Sequence, residues 1–239
     1  MRIFATSDTH FGHDREFLYK PRGFNSIAEH DEEVVRRWNE TVEPDDWVLH
    51  LGDVMLGDNA HGLECLKKLN GKIFIVPGNH DTATRIKLYK ELPNVTILEP
   101  VKTEFAPLQP AAFQFKYKKY NFYVSHQPTM TSNLEKAPYL KMHLINLFGH
   151  THQQKRFYND IPFMFHVGMD SNDCRPVLLD DAIQIMKEET NKCLALLDEG
   201  EVVDIDKDIT LPKEETKCPT QPDTWTTIVQ RVKKLFSKT

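Results

Sequence analysis

Five short clusters of polar side chains each follow an apolar run that predicts a buried strand. They are Asp8-Thr9-His10, Gly52-Asp53, Gly78-Asn79-His80-Asp81, Ser125-His126 and Gly149-His150-Thr151-His152. Their candidate ligand atoms are all oxygen or nitrogen, which suit divalent ions such as Mn, Fe or Zn. A single histidine beside a glycine is more often a turn or core residue. The ordered series, repeated at strand ends, instead favours a metal centre.

The spacing of the clusters allows for two ions rather than one. A two-ion site, with ions about 3.5 to 4 Å apart, needs a carboxylate that can bridge them, and Asp53 is central in the sequence among the clusters. His150 and His152 stand two residues apart, so they would share one face of an extended strand, whereas a tight turn would direct them at neighbouring ions. The sequence leaves these two arrangements open.

Such a centre would suit the hydrolysis of phosphate esters. Two cations acidify a bridging water, so that hydroxide exists near neutral pH, and they neutralise the phosphate oxygens as negative charge develops. The leaving alkoxide then needs a proton donor, for which an imidazole just outside the ligand set, oriented by a carboxylate, is suited. His80 and Asp81 fit this catalytic pair. Asp81 could equally cap the helix predicted to start at Thr82, and the two roles are compatible.

The elements that would position the clusters follow an alternating pattern. "RIFATSD", "DWVLHLGD" and "GKIFIVPGNHD" predict three buried strands that end in polar residues. Between them, a helix is predicted from the Ser26/Glu29 capping-box spacing, and a second helix in "GLECLKKLNG" ends before Gly71. Strand-helix alternation is typical of a parallel sheet, whose ligand sites lie beyond the carboxyl ends of the strands.

The second half of the sequence predicts another sheet and a C-terminal extension. "AAFQFKYKKYNFYVSHQP" alternates as a hairpin about "KKYN", and "LINLFGHTH" and "FMFHVGMD" are further strands. Asp180 or Asp181 can cap a following helix. We divide the chain into a domain of residues 1–186 and an extension of residues 187–239. The extension comprises an acidic linker and a basic amphipathic helix over 224–237, which would dock on the domain, form a subunit contact or touch a membrane surface.

Composition and charge argue against several classes of function. The 239 residues carry a net charge of −5, which argues against stable binding of duplex DNA, since that binding depends on neutralising phosphates. No apolar stretch approaches the roughly 18 to 20 residues of a membrane span, and the N-terminus is too polar for a signal peptide, so we expect a cytoplasmic protein. The four cysteines form no CxxC pair and are interpreted as ordinary thiols.

With "TSDTHFGH", "LGDV" and "PGNHD", the sequence resembles the calcineurin-like metallophosphoesterase superfamily, in particular its small single-domain members from bacteria and their viruses. The resemblance covers residues 1 to about 185. It implies an α/β fold, a four-layer α/β/β/α sandwich with two mixed β-sheets flanked by helices. It also implies that one ion is held by Asp8, His10, Asp53 and His152, and the other by Asp53, Asn79, His126 and His150. His80 would then face the scissile phosphate, with its ring oriented by Asp81.

The sequence therefore predicts a metal-dependent phosphoesterase, a phosphodiesterase or phosphatase, that hydrolyses phosphate mono- or diesters, with nucleotides among the candidate substrates. The expected cofactors are two divalent ions, with Mn favoured over Fe, Zn or Ni. His13, Arg22 and Arg85 are candidate substrate contacts, although His13 could equally be an ordinary loop residue and most arginines simply line a solvated surface. His166 and Asp170 could support the ligands from behind. Two alternatives are a nuclease acting on DNA ends and a catalytically silent partner-binding scaffold; the scaffold is disfavoured because every motif residue is present.

Overall fold

The computed structural model describes residues 1–98, 112–129 and 140–197 of the chain. All of these residues belong to one compact unit. The part of the predicted linker after residue 197 and the predicted helix over 224–237 lie outside the described residues, whereas residues 187–197 belong to a helix. Their proposed roles stay predictions.

The first sheet contains the strands that precede three of the polar clusters. Its members are β1 (Ile3–Thr6), β2 (Trp47–His50), β3 (Lys72–Ile75), β4 (Val95–Ile97) and β9 (Val177–Leu178). Their order is β4-β3-β2-β1-β9, in which β1 to β4 run parallel and β9 pairs antiparallel with β1. The three sequence-predicted strands are thus confirmed as neighbours whose carboxyl ends meet at one edge.

Helices connect the parallel strands of this sheet. They are α1 (Glu16–Tyr19), α2 (Ile27–Thr41), α3 (Asn59–Lys67) and α4 (Ala83–Tyr89). Ser26 caps α2 by accepting from the Glu29 amide, as the spacing predicts, and Thr82, rather than Asp81, caps α4. Buried Trp38 of α2, Leu66 of α3 and Tyr89 of α4 share one hydrophobic cluster with the sheet. This burial fixes one face of the first sheet.

The second sheet is also mixed. It consists of β5 (Ala112–Tyr117), β6 (Tyr120–Ser125), β7 (Leu144–Phe148) and β8 (Met164–His166), in that order. The β5-β6 hairpin turns at Lys118 and Lys119, within the predicted "KKYN" turn, and β6, β7 and β8 run parallel. The carboxyl ends of β6 and β7 therefore deliver the last two polar clusters to a common edge.

A second hydrophobic cluster joins the two sheets. Phe122 of β6 and Leu147 of β7 pack in it with Ala5 of β1 and with buried residues of the C-terminal helix α5 (Leu179–Leu197). The remaining elements are three short 3-10 helices, Leu140–Met142, Tyr158–Asp160 and Met169–Ser171. Helix α5 begins before both predicted capping aspartates and crosses residue 186, where the sequence analysis divides the chain.

The predicted fold class, an α/β arrangement of two mixed β-sheets with flanking helices, is confirmed. Among the residues that the structure describes, no helix combines the length and apolar character that crossing a membrane requires.

Candidate metal centre

All five polar clusters lie directly after the carboxyl ends of parallel strands. Asp8 and His10 follow β1, Asp53 follows β2, and Asn79 follows β3. His126 follows β6, and the pair His150 and His152 follows β7. Strand direction explains the convergence, because parallel strands present all their following loops at the same edge of a sheet.

The backbone of these loops takes an unusual conformation at the candidate ligands. Positive φ angles occur at five of them, from 48° to 67°: Asp8, His10, Asp53, His150 and His152. Left-handed geometry costs free energy at residues other than glycine, although aspartate and histidine tolerate it better than most. Such strain is concentrated at functional sites, where surrounding structure holds it in place. Here it turns His150 and His152 towards different neighbours, as in the tight-turn arrangement.

One group of candidate ligands surrounds the Nε2 atom of His10. That nitrogen lies 3.2 Å from His152 Nε2, 3.8 Å from Asp8 Oδ1 and 3.7 Å from Asp53 Oδ2. Asp8 and Asp53 are almost fully buried. Four ligand atoms from three loops therefore converge on a small volume at the base of the site.

A second group lies beside the first and is more open. Asn79 Oδ1 is 2.8 Å from both His126 Nε2 and His150 Nδ1, and His126 Nε2 is 3.3 Å from Asp53 Oδ2. His150 and Asn79 are exposed to solvent. Asp53 Oδ2 thus approaches a histidine nitrogen of each group and lies between the two groups.

The hydrogen bonds around these atoms fit metal ligation. Asp8 Oδ2 accepts from Ser7 Oγ at 2.6 Å and from the His150 amide at 2.9 Å, whereas its buried Oδ1 has no hydrogen-bond partner. An orphaned buried carboxylate oxygen is costly unless a cation or water satisfies it. His126 Nδ1 donates to the Leu51 carbonyl, so that its Nε2 lone pair faces the site.

His152 is likewise oriented through its Nδ1 atom. Its Nδ1 lies 3.0 Å from Asp170 Oδ2. The Asp170 carboxylate also accepts hydrogen bonds from Nε and Nη2 of Arg22. A carboxylate that fixes the far nitrogen of a histidine leaves Nε2 free to bind metal. Asp170 thus contacts His152 from behind, in agreement with its predicted supporting role, which stays a prediction. His166 contacts Ser171 instead, at 2.7 Å.

Electrostatics at the site reflect a dense group of buried charges. Burial raises the pKa of Asp8, while for Asp53 the opposing effect of burial is outweighed by His126 and His10, which lower its pKa. Burial would lower the pKa of His126, but its hydrogen bond to Asp53 and the charge of Asp8 raise it instead. Burial lowers the pKa of His10. A divalent cation would displace the proton that His126 otherwise holds near neutral pH.

His80 lies at the rim, outside both groups. Its ring centroid is 5.7 Å from that of His10, and its amide donates to Asp53 Oδ1 at 2.8 Å. The Asp81 carboxylate does not orient this ring. It accepts hydrogen bonds from the amides of Asp53, Gly78 and Val54 and from Tyr89 Oη. Asp81 therefore joins the loops after β2 and β3, a role that differs from both roles weighed for it from sequence.

The three candidate substrate contacts occupy different positions. Arg22 is fully buried and is bound to Asp170 behind the ligands, so its side chain does not face a substrate. Arg85 is half-buried and donates to the His80 carbonyl at 2.6 Å and to Asn59 at 2.8 Å. His13 alone lies at the rim, with its ring centroid 5.4 Å from that of His10.

Sequence reasoning missed Ser7 and Tyr89, which hold Asp8 and Asp81 in place. Ser7 could have been found, because it adjoins Asp8 in "TSDTH". Tyr89 could not, because only the packing of α4 against the sheet brings its hydroxyl to Asp81. The site therefore contains orienting residues that the sequence motifs do not include.

Comparison with known proteins identifies the family. The calcineurin-like phosphoesterase superfamily domain matches residues 1–169. The chain belongs to this superfamily. The superfamily uses divalent metals, and the groups Asp8-His10-His152 and Asp53-His126-His150 are candidate ligand sets for them.

Two individual relatives are similar to this chain over shorter stretches. An uncharacterized protein of Methanocaldococcus jannaschii is 38% identical over 82 residues, which make up 34% of this chain and 47% of that protein. The Gene 66 protein of Mycobacterium phage L5 is 35% identical over 80 residues, 32% of this chain and 38% of that protein. The chain thus matches less than half the length of either relative.

Among solved structures, a protein of unknown function from Aquifex aeolicus has a similar fold. The two share 19% sequence identity with a TM-score of 0.54, and the alignment covers 77% of this chain and 98% of that one. At this identity the likeness concerns the fold alone.

Proposed function

We propose that the protein is a metal-dependent phosphoesterase that hydrolyses phosphate mono- or diesters at a dinuclear centre. Asp8, His10, Asp53 and His152 would hold one divalent ion. Asp53, Asn79, His126 and His150 would hold the other. Mn²⁺ is the favoured metal, since the set is rich in carboxylate and imidazole and contains no thiolate.

The observation that carries the proposal is the position of Asp53 Oδ2. This atom lies 3.7 Å from His10 Nε2 and 3.3 Å from His126 Nε2, between the two groups of ligands. When bound, two divalent ions would acidify a water molecule and neutralise the negative charge of the phosphate oxygens.

Side chains of the protein donate the proton to the leaving group and position its donor. His80 lies beside His10 but has no place in either ligand set, so we assign it the role of stabilising the leaving oxygen and supplying its proton. Arg85 positions the His80 backbone through the His80 carbonyl, and Asp81 holds the loop that carries it. The exposed Asn79 and His150 mark the side from which a substrate enters.

The test is hydrolysis of paired aryl phosphate mono- and diesters by metal-stripped protein after addition of Mn²⁺, Fe²⁺ or Zn²⁺. We expect turnover that requires added metal and is abolished in Asp53→Asn. The matched control is Asp58→Asn. Asp58 is an exposed aspartate that caps α3, and its replacement should leave turnover nearly unchanged.

Folded protein that hydrolyses neither ester with any of these metals would contradict the proposal. A substrate panel of cyclic nucleotides, dinucleotides, oligonucleotides, phosphosugars and phosphopeptides then identifies the natural ester. Activity confined to oligonucleotide ends, with binding that weakens steeply as salt is added, would favour the nuclease alternative.

A further inference from the structure

A third group of metal-competent side chains lies in the helical layer and has no part in the proposed hydrolysis. His61 and Cys65 stand one turn apart on α3, and Asp31 of α2 faces them. Their ligand atoms, Asp31 Oδ2, His61 Nε2 and Cys65 Sγ, all lie within 4.8 Å of one another. Unlike the two groups of the candidate metal centre, this one contains a thiol.

Two distances within this group are close to those of a tetrahedral zinc site. Usual zinc bond lengths place a nitrogen and a sulfur ligand about 3.6 Å apart, and a nitrogen and an oxygen ligand about 3.3 Å apart. His61 Nε2 lies 3.5 Å from Cys65 Sγ and 2.8 Å from Asp31 Oδ2. The sulfur is thus already at the right distance, and the carboxylate needs to move by only about 0.5 Å.

Both contacts involve the same imidazole nitrogen. A cysteine-histidine-aspartate relay would use one ring nitrogen for the thiol and the other for the carboxylate. Here Asp31 and Cys65 both approach His61 Nε2. The three side chains therefore converge on one point, as ligands do.

Burial and hydrogen bonding also suit a metal site. Asp31 and Cys65 are 1% and 3% exposed, whereas the His61 side chain is 46% exposed, so solvent can supply a fourth ligand. The Asp31 carboxylate is oriented by His30 Nδ1 at 2.7 Å on Oδ1 and by the Gly12 amide at 2.8 Å on Oδ2. Such outer contacts commonly fix metal ligands.

We propose that Asp31, His61 and Cys65 bind a zinc ion, with water as the fourth ligand, at a site separate from the dinuclear centre. Zinc accepts this mixture of oxygen, nitrogen and sulfur donors. On binding, the Cys65 S–H bond breaks, an S–Zn bond forms and the proton passes to solvent. The ion would link α2 to α3 and, through Asp31 and Gly12, to the loop that begins at His10.

Cobalt substitution of the full chain provides the test, because a thiolate bound to Co²⁺ gives a charge-transfer band in the near ultraviolet. We expect metal-stripped protein to develop this band with Co²⁺, to lose it in Cys65→Ser and His61→Gln, and to keep it in Asp53→Asn. Zn²⁺ should abolish the band by displacing Co²⁺. Cys193→Ser, which changes a half-buried thiol on α5, is the matched control and should keep the band.

Thermal unfolding of each metal-free variant provides the folding control. Cys65 packs in the hydrophobic core, so the half-exposed His61 supplies the variant that is expected to fold as the parent does. Absence of the band in the parent protein would overturn the proposal, as would its persistence in His61→Gln; Asp31 and His61 would then form an ion pair only. This readout is independent of ester hydrolysis.

Discussion

At the scale of single residues, the candidate ligands are held by partners that fix which of their atoms faces the candidate site. His126 is oriented by a backbone carbonyl, His152 by Asp170, and Asp8 by Ser7 and the His150 amide. These contacts place the ligand atoms before any ion binds, which reduces the conformational cost of binding.

Asp170→Asn should weaken metal binding although Asp170 is not itself a ligand in the proposed centre. The amide cannot orient His152 and pair with Arg22 as the carboxylate does, so we expect the metal affinity to fall about 10- to 100-fold. Isothermal titration of metal-stripped protein measures this change. Asp173→Asn, which alters an exposed aspartate on a neighbouring turn, should leave the affinity unchanged; equal affinities for the two variants would show that Asp170 does not support the site.

His80→Ala should separate metal binding from chemistry. Because His80 lies outside both groups of ligands, we expect the variant to keep its metal content while turnover falls by about 10² to 10⁴-fold. Metal analysis and ester hydrolysis on the same sample test this. A variant that lost its ions would place His80 among the ligands instead.

The motifs predicted the residues that converge at the candidate site but not the contacts that orient them. Asp8, Asp53 and His126 could be singled out because each follows an apolar strand in a recognisable pattern. The partners of Asp81 could not, because two of its three backbone donors belong to a loop 27 and 28 residues away in sequence. Arg22 was assigned to substrate because its charge suits phosphate, yet Asp170, 148 residues along the chain, holds it in the interior.

At the scale of elements, the site depends on how closely the loops after β2 and β3 approach. Gly52 has a φ of +88°, and a Cβ atom there would lie 2.3 Å from the Gly78 amide nitrogen. No side chain fits at this distance, and the conformation itself disfavours one. The glycines in "LGD" and "PGNHD" thus allow Asp53 and Asn79 to reach the same site.

Gly52→Ala should therefore disrupt the site as well as the fold. We expect a loss of about 3 kcal/mol or more in unfolding free energy, from backbone strain and the clash together, and a marked loss of metal affinity. Gly23→Ala separates the two causes, because Gly23 has the same φ of +88° but open space around it. The Gly23→Ala variant should lose only about 1 kcal/mol of unfolding free energy. If urea unfolding gave the same loss for both variants, the close approach of Gly52 to Gly78 would not be the cause.

Short elements were the least predictable part of the fold. The strands β1, β2 and β3 follow from long apolar runs, and the hairpin follows from its alternation. Strands β4 and β9, of 3 and 2 residues, carry too little periodicity to identify and exist because they pair with β3 and β1. The antiparallel edge of the first sheet is therefore a tertiary feature.

At the scale of the whole molecule, Arg2 and Asp46 join the first sheet at the amino ends of β1 and β2, opposite the ends that carry the candidate site. Asp46, which is 3% exposed, accepts from the Arg2 amide at 2.7 Å, from Arg2 Nε at 3.0 Å and from the Glu43 amide at 3.0 Å. These bonds outweigh the opposing effect of burial and lower the pKa of Asp46 to about 2. They join the start of β1 to the turn before β2.

This depressed pKa makes part of the stability pH-dependent. Stabilisation from a carboxylate whose folded pKa is lowered is complete above its unfolded value, 3.8, and is lost as pH falls towards about 2. We expect Asp46→Asn to lower the unfolding free energy by about 2 kcal/mol at pH 7, and the difference from the parent protein to shrink below pH 4. Urea unfolding at several pH values measures it. Asp45→Asn, at an exposed neighbouring position, should have little effect, and a pH-independent cost of Asp46→Asn would contradict the proposed cause.

The most direct test of the dinuclear phosphoesterase is the rate of aryl phosphate ester hydrolysis, measured as a function of Mn²⁺ bound per chain. The rate should remain low at one ion and reach its maximum at two, because Asp53 joins both groups of ligands, and Asp53→Asn should neither hold two ions nor hydrolyse the ester. Full activity at one ion per chain, or no activity at two, would contradict the account.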